Sequence, residues 1–514
     1  MQLNLQALPN DLSLSHQLIV DLVGSLLDYQ KRIEQLKQEL ERLRRYQFGR
    51  RSERLLGDAV LFEFAGLLQA VLEKADEAEA KEKPEGETEE TAALKKPRGE
   101  SKKGHGRGSL PEHLPKQRIE HTLSPQECQC SQCGHPLEPI GEEVSRQLDY
   151  QPASFYITEH VRIKYACQGC ESTVVTSERP SAPIEKGLPG PGLLAQVLVS
   201  KYADHLPLNR LEGIFARHGV EISRQTMCDW VKYSTHLLSP LYEAMKGDTL
   251  DSGVLGTDDT PVPVQEAGRG QTKEGRIWVY VGDADHAQTV YDYTENRSRE
   301  GPQKFLEGFQ GVLQADAYAG YDGIFVSGKV QEAGCWAHAR RKFFDAKSTE
   351  EVLALQALAY IRTVYQVEQE GKALDPPARQ KLRQEKSRPI LEGFHRWLLQ
   401  RSAEVLPKSP MGQAIGYALG QWTALNRYLD NGAIPIDNNA SERALRGVVI
   451  GRKNYLFYGS DQGGHRAAII YTMVATCKRH GVDLFAYLRD ILERLPSHSI
   501  QNLHELFPQN WKAA

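Results

Sequence analysis

The stretch 253–264, Gly-Val-Leu-Gly-Thr-Asp-Asp-Thr-Pro-Val-Pro-Val, decides how the chain is read. Its β-branched and apolar residues form a strand pattern, and two adjacent carboxylates, Asp258 and Asp259, sit in the middle of it. Working outward, RIWVYVGDA (276–284) and QTVYDYT (288–294) read as further strands, and VLQADAY (312–318) as one that ends on Asp316. Residues 348–430 read as mostly helical, as does a region from about 439 to 495 interrupted near 459–464. Upstream, 187–245 reads as helices with a turn. The expectation is a multidomain α+β protein. Its core spans 250–480 with a helical insertion near 348–430, and a helical tail follows over 481–514.

Three acidic positions far apart in sequence then stand out. Asp258 and Asp316 lie in strand patterns, and Glu442 lies in IDNNASERALRG (436–447), near a helix start. Carboxylates at strand ends and on a helix can converge on hard divalent magnesium, which takes oxygen ligands. Two such ions about 4 Å apart activate an attacking oxygen and stabilise the leaving oxygen of a phosphodiester. The alternative is local chemistry, because Asn439 followed by Glu442 three residues on also reads as a helix cap.

The setting of these acids is basic. Between Ile436 and His480, Arg443, Arg446, Arg452, Lys453, Arg466, Lys478 and Arg479 stand against Asp437, Glu442 and Asp461. CWAHARRKF (335–343) adds His338, Arg340, Arg341 and Lys342. Such clusters suit a phosphate backbone, since binding releases condensed counterions; a solvated helix face is the plainer alternative. Upstream, LNRLEGIFARHG (208–219), a VEIS turn with Ser223 as N-cap, and RQTMCDWVKYS (224–234) form a candidate helix-turn-helix. Arg224, Gln225 and Thr226 would face a DNA groove, with Trp230 and Val231 turned inward. Two helices joined by a turn also occur in many ordinary cores.

Five of the eight cysteines fall within 118–180. Cys130 with Cys133 and Cys167 with Cys170 make two CxxC pairs, a soft four-thiolate set suited to one structural Zn²⁺. Cys128 is a second candidate for the first ligand. Further upstream, Ile19, Leu22, Leu26, Tyr29, Ile33, Leu36, Leu40 and Leu43 alternate by three and four, the spacing of a coiled coil that pairs two protomers within an N-terminal helical region, 1–72. Residues 73–117, acidic and then basic and without aromatic residues, read as a charged, disordered linker.

The chain has 514 residues and a formal net charge of −4, with 40% hydrophobic and 25% charged residues. That excludes wholesale disorder, a collagen or a disulfide miniprotein. The longest nearly apolar stretch, Ala59–Leu72, is interrupted by Glu63 and falls short of the ~20 residues needed to span a bilayer. The opening residues lack a basic segment followed by an apolar one, so a cytoplasmic protein without membrane partners is expected.

Taken together these residues resemble the insertion-sequence-66 family of bacterial transposases, which carry an Asp-Asp-Glu catalytic domain. The resemblance rests on FGRRSER (48–54), the two CxxC pairs, GTDDTPVPV (256–264), LQADAYAGYDGIF (313–325), GCWAHARRKFFDA (334–346) and IDNNASERALRGVVIGRKNYLFYGSDQGGHRAA (436–468). It implies an RNase H-like catalytic core with Asp258, Asp316 and Glu442 as the catalytic acids, holding two Mg²⁺ or Mn²⁺ ions. The family usually has Asp-Glu-Thr where this chain has Asp258-Asp259-Thr260, and whether Asp259 assists is left open. By the same resemblance the cysteines form a zinc-binding domain over 118–180, and 187–245 is a DNA-binding region. The expected partner is double-stranded DNA, both element ends and target. His338, Arg340, Arg341, Arg452 and Lys453 would contact its phosphates, and accessory proteins of the element are further expected partners. The expected activity is strand cleavage and transfer. The alternatives are a DNA-binding regulator with a degenerate catalytic domain and a hydrolytic RNase H-like nuclease.

Overall fold

The computed structural model describes residues 189–512 apart from 267, 269 and 327. Before them it describes residues 24, 29, 155–160, 182–184 and 187, and the backbone of 164–166 and 174–176. The chain divides into two units, residues 1–80 with 159–514, and residues 81–158. Of the second unit, residues 155–158 are described and exposed. The coiled-coil pattern (Tyr29 apart), the linker, FGRRSER and Cys128, Cys130, Cys133, Cys167 and Cys170 lie outside the described residues. The short antiparallel strands β1 (Lys164–Ala166) and β2 (Val174–Thr176) flank the second cysteine pair in sequence.

The centre of the larger unit is a five-stranded sheet in the order β5-β4-β3-β6-β7. β3 (Val254–Val264), β4 (Lys273–Val281) and β5 (Thr289–Thr294) form an antiparallel meander, with Gly256 opposite Val281 and Val264 opposite Lys273. β6 (Gly311–Gln314) and β7 (Val330–Ala333) then run parallel to β3. β6 pairs with β3 only at residues 254–256, so the rest of that side of β3 is free of a strand. Pro261 and Pro263, which have no N–H to donate, are tolerated in that half of the strand.

Helices cover the sheet. α1 (Pro191–Tyr202), α2 (Leu208–Arg217) and α3 (Arg224–Leu250) precede it; α4 (Glu300–Phe305) and α5 (Asp322–Phe325) lie between strands. After β7 come α6 (Trp336–Ala346), α7 (Glu351–Glu370), α8 (Pro376–Leu382), α9 (Arg388–Ser402), α10 (Pro410–Gly420) and α11 (Trp422–Asn426). The chain returns to the sheet through α12 (Asn439–Tyr455), α13 (Asp461–His480) and α14 (Leu484–Arg494). Ile277, Trp278, Val279 and Tyr280 are all fully buried, so β4 is covered on both faces. The free edge of β5 is met by α13: the N–H groups of Thr289 and Tyr291 donate to the hydroxyls of Thr476 and Thr472 at 3.1 and 3.0 Å. A strand edge that could otherwise pair with another chain is thereby closed.

Two hydrophobic cores result. One joins the sheet to α1, α3, α13 and α14; the other packs Trp336, Phe343, Phe394 and Leu398 among α6, α7, α9 and α10. α6 bridges from the sheet into the second core, where the Trp336 indole donates to the Leu425 carbonyl at 2.8 Å.

The helix pair forms, and Ser223 caps α3 by accepting the Thr226 N–H at 3.1 Å. Trp230 and Val231 are buried. α3 runs to Leu250, however, well past the short second helix of the sequence pattern, and its Tyr242 hydroxyl donates to the Tyr291 carbonyl of β5 at 2.9 Å. The second helix of the pair is thus also a support of the sheet. No described helix is long and apolar enough to cross a membrane.

Candidate active site

Asp258 stands mid-strand on β3, Asp316 lies just beyond β6, and Glu442 lies in the first turn of α12. Burial pushes the Asp258 carboxyl up to about 7, helped by the negative charges of Asp316, Asp259 and Glu442, although its Oδ1 accepts the Asp259 N–H at 2.8 Å. Burial also raises Asp316, against the pull of His338 and Arg297. Ala317, the next residue, takes a left-handed backbone conformation (φ 41°), uncommon for a side chain with a Cβ.

The approach of α12 to β3 depends on small and polar residues. A Cβ at Gly256 would meet Ser441 Oγ at 2.9 Å and Asn438 Oδ1 at 3.0 Å. Asn438 is buried and ties three elements together. Its side-chain amide donates to the Thr257 carbonyl of β3 at 2.7 Å, its N–H to Cys335 Sγ at 3.2 Å, and its Oδ1 accepts the Ser441 hydroxyl at 2.6 Å. The helix cap expected at Asn439 is therefore replaced. α12 begins at Asn439 after Asn438, whose side chain makes no cap bond: its Oδ1 accepts the Ser441 hydroxyl instead, while its amide is bonded to β3. Asp437 accepts the Tyr365 hydroxyl at 2.9 Å and holds the entry to the helix.

Asp259 has a different environment. Its side chain is 3% exposed and accepts from Arg276 Nη1 at 3.0 Å, and from Arg297 Nε and Nη2 at 3.1 and 2.9 Å. Arg297 Nη2 also comes within 4.0 Å of Asp316 Oδ2, and its guanidinium lies 4.0 Å above the Tyr318 ring. Asp259 thus holds an arginine beside Asp316. Arg297 carried no signal in the sequence: it sits in a loop, and its partners come from β3 and from the turn after β6.

His338, on α6, brings Nε2 to 3.7 Å from Glu442 Oε1. Arg340 is half-buried near Phe344 and Arg341 is exposed. Arg452 is drawn onto β3, its Nη1 donating to Thr260 Oγ1 at 3.1 Å and to the Pro261 carbonyl. Together with the Tyr458 N–H on the Pro263 carbonyl at 2.9 Å, it closes the strand-free side of β3. Lys453 is exposed, and so are Arg224, Gln225 and Thr226 at the start of α3. Asp258, pushed up to about 7 by burial and further by the charges of Asp316, Asp259 and Glu442, belongs with Asp316 and Glu442 to an all-oxygen donor set, the kind that suits a divalent cation with oxygen preference.

The chain matches known protein families over most of its length. Residues 186–466 match the transposase IS66 family, 127–171 the zinc-finger binding domain of transposase IS66, and 472–509 the IS66 C-terminal element. Residues 35–119 match the transposase C of IS166 homeodomain. The uncharacterized protein y4hP of Sinorhizobium fredii is 33% identical over 93% of this chain and 89% of its own. From the same organism, y4qI is 34% identical over 94% and 90%, and y4jD 35% over 81% and 84%. The matched domains imply a transposase that acts on DNA, uses divalent metal, and carries a zinc-binding module. With the family pattern spanning the described sheet, its helices and the three carboxyls, the chain belongs to the IS66 family of transposases.

Proposed function

We propose that the chain binds the terminal inverted repeats of its element and catalyses metal-dependent strand cleavage and strand transfer at Asp258, Asp316 and Glu442. The observation that carries this reading is that three separate elements, β3, the turn just beyond β6 and the first turn of α12, each supply one carboxyl, with Asp316 and Glu442 near enough to Asp258 for their charges to reach it. The strand order, an antiparallel meander continued by two parallel strands, supports an RNase H-like core. Bound by these acids, two Mg²⁺ or Mn²⁺ ions would supply Lewis acidity at the scissile phosphate and the attacking oxygen.

The reaction balances without an external energy source. In cleavage a water oxygen attacks phosphorus and the 3′-oxygen leaves, taking a proton. In joining that 3′-hydroxyl attacks a target phosphorus and the target's own 3′-oxygen leaves. Asn438, Gly256 and Arg452 seat α12 on β3, and this fixes Glu442 relative to Asp258. Arg297 orients Asp316 from the side of Asp259.

DNA contacts extend from the site along α12. Arg443, Arg446, Ile450 and Lys453 are exposed and fall within about 80° of one another around a helix of 3.6 residues per turn, on the same side as Glu442. Among the described residues, Arg443, Arg446 and Lys453 form no ion pair, and a phosphate backbone would supply their counter-charge. His338, beside Glu442, and Arg340 and Arg341 further along α6 add phosphate contacts, while Arg224, Gln225 and Thr226 read the ends from the start of α3. Arg452, already bonded to β3, holds the helix that carries the track. Cys130, Cys133, Cys167 and Cys170 hold a structural zinc, and the heptad pattern over 19–43 pairs two protomers.

The deciding experiment uses a labelled element end with Asp316→Asn. Cleavage and joining should be lost, with end binding retained by gel shift. Cleavage by a correctly folded Asp316→Asn chain would end the reading. Cleavage without joining by the unaltered chain would make it a nuclease, and end binding without either a regulator.

A further inference from the structure

We propose that Cys335, His338 and Glu442 form a second metal site, selective for a thiophilic divalent cation of the zinc class. The three side chains each offer a ligand atom, and these atoms all lie within 4.8 Å of one another. Zinc bonds of about 2.0–2.3 Å need ligand atoms a little closer than that, a distance side-chain rotation can supply. Cys335 and His338 stand three apart at the start of α6, the C-x-x-H spacing that brings two ligands to one side of a turn.

The sulfur is prepared for negative charge. Cys335 Sγ accepts the Asn438 N–H at 3.2 Å and is hydrogen-bonded by the backbone of Ala337 and His338. Such N–H donors stabilise a metal-bound thiolate and orient it. Binding displaces the thiol proton to solvent as the metal–sulfur bond forms. No oxidation is involved. His338 is prepared as well: its Nδ1 is buried with no hydrogen-bond partner, while Nε2 faces Glu442.

One sulfur, one nitrogen and one carboxylate leave a fourth position open. This donor set suits Zn²⁺ or Co²⁺ and not Mg²⁺, which keeps to oxygen and gives up water reluctantly. Glu442 belongs to both sets. A zinc-class ion seated on Cys335 therefore takes Glu442 away from the hard cations and inhibits cleavage; this consequence rests on the active-site reading, whereas the binding does not.

The test uses the full chain, its four-cysteine module preloaded with zinc, titrated with Co²⁺. The unaltered chain should take up one cobalt beyond what Cys335→Ser takes up, with a sulfur-to-cobalt charge-transfer band that Cys335→Ser lacks. His338→Asn should weaken that uptake at least tenfold, and it carries the test if the serine variant melts early by circular dichroism. Equal uptake and equal bands in all three chains would overturn the site. In a separate arm, zinc should inhibit magnesium-supported cleavage by the unaltered chain at concentrations that spare Cys335→Ser. Equal zinc sensitivity would overturn the competition. A chain that binds cobalt through Cys335 but cleaves no DNA would leave the metal site standing and remove the active-site reading alone.

Discussion

Asp258 carries a cost that the fold keeps in place. Burial, with the charges of Asp316, Asp259 and Glu442 beside it, pushes its carboxyl up to about 7, above its ordinary range. An acid raised on folding binds more protons in the native than in the unfolded state, so native stability falls as pH rises from about 4 to 7 and is level beyond. The metal-free Asp258→Asn chain should therefore melt a few degrees above the unaltered chain at pH 8, with a smaller gap at pH 5. Cleavage should be lost at both. Thermal melts by circular dichroism in chelator check this, and an equal gap at both pH values would mean that Asp258 titrates normally. At this scale the sequence marks the three acids and His338 as candidates but is silent about Arg276 and Arg297. Asp258, Asp316 and Glu442 could be named from strand ends, a helix start and a family resemblance. Asp259 was ambiguous because its role depends on Arg276 and Arg297, and such pairings exist only once β4 and the loop after β5 have come back to β3.

Elements show the same divide between local and distant causes. The strand pattern of 253–264 and the Ser223 cap are local, and both formed where the residues predicted them. The length of α3 and the entry into α12 are set by packing on the sheet, which no window of sequence reports. A further case is Arg383, in the π-helical turn Arg383–Ser387 that joins α8 to α9. It is 1% exposed, pairs both oxygens of Glu368 at 2.8 and 2.7 Å, and donates from Nη1 to the carbonyls of Tyr428, Asn431 and Ile434 at 2.7–3.0 Å. Those carbonyls belong to the segment that leads into Asp437 and Asn438, so a buried guanidinium in the helical insertion shapes the path to Glu442. Arg383→Ala would strand Glu368 and the buried carbonyls of Tyr428 and Ile434, and removal of one partner of a buried pair costs about 3–5 kcal/mol. Urea melts should show a loss of that size. Hydrogen exchange should rise first in residues 428–438, and an unchanged midpoint would mean that the insertion does not support the site.

Over the whole molecule, charge is the quantity that composition alone misrepresents. The formal net charge is −4, which gives no long-range attraction to DNA. Binding would then come from local arrays, and the proposed one is on α12: from Glu442 to Lys453 the helix rises about 16 Å, close to five base-pair steps of duplex. Arg443, Arg446 and Lys453 line that length, with Ile450 between them. If each neutralises one phosphate, binding of element ends should weaken with salt, and the log–log slope should lose about one unit for each cation removed. The chain with Arg443, Arg446 and Lys453 all replaced by alanine should then show a slope shallower by about three, and weaker binding to specific and random duplex alike. Titrations of the full chain at several salt concentrations measure this directly. A slope unchanged by the triple substitution would move the DNA track off α12, to the start of α3 or to residues upstream of the sheet. Loss of affinity for element ends alone would mean that these side chains read sequence as well as neutralise charge. Because Glu442 begins the stripe that these cations continue, a DNA strand bound along it under the proposed function would run toward Glu442, so the same helix would carry both phosphate contacts and one of the three acids.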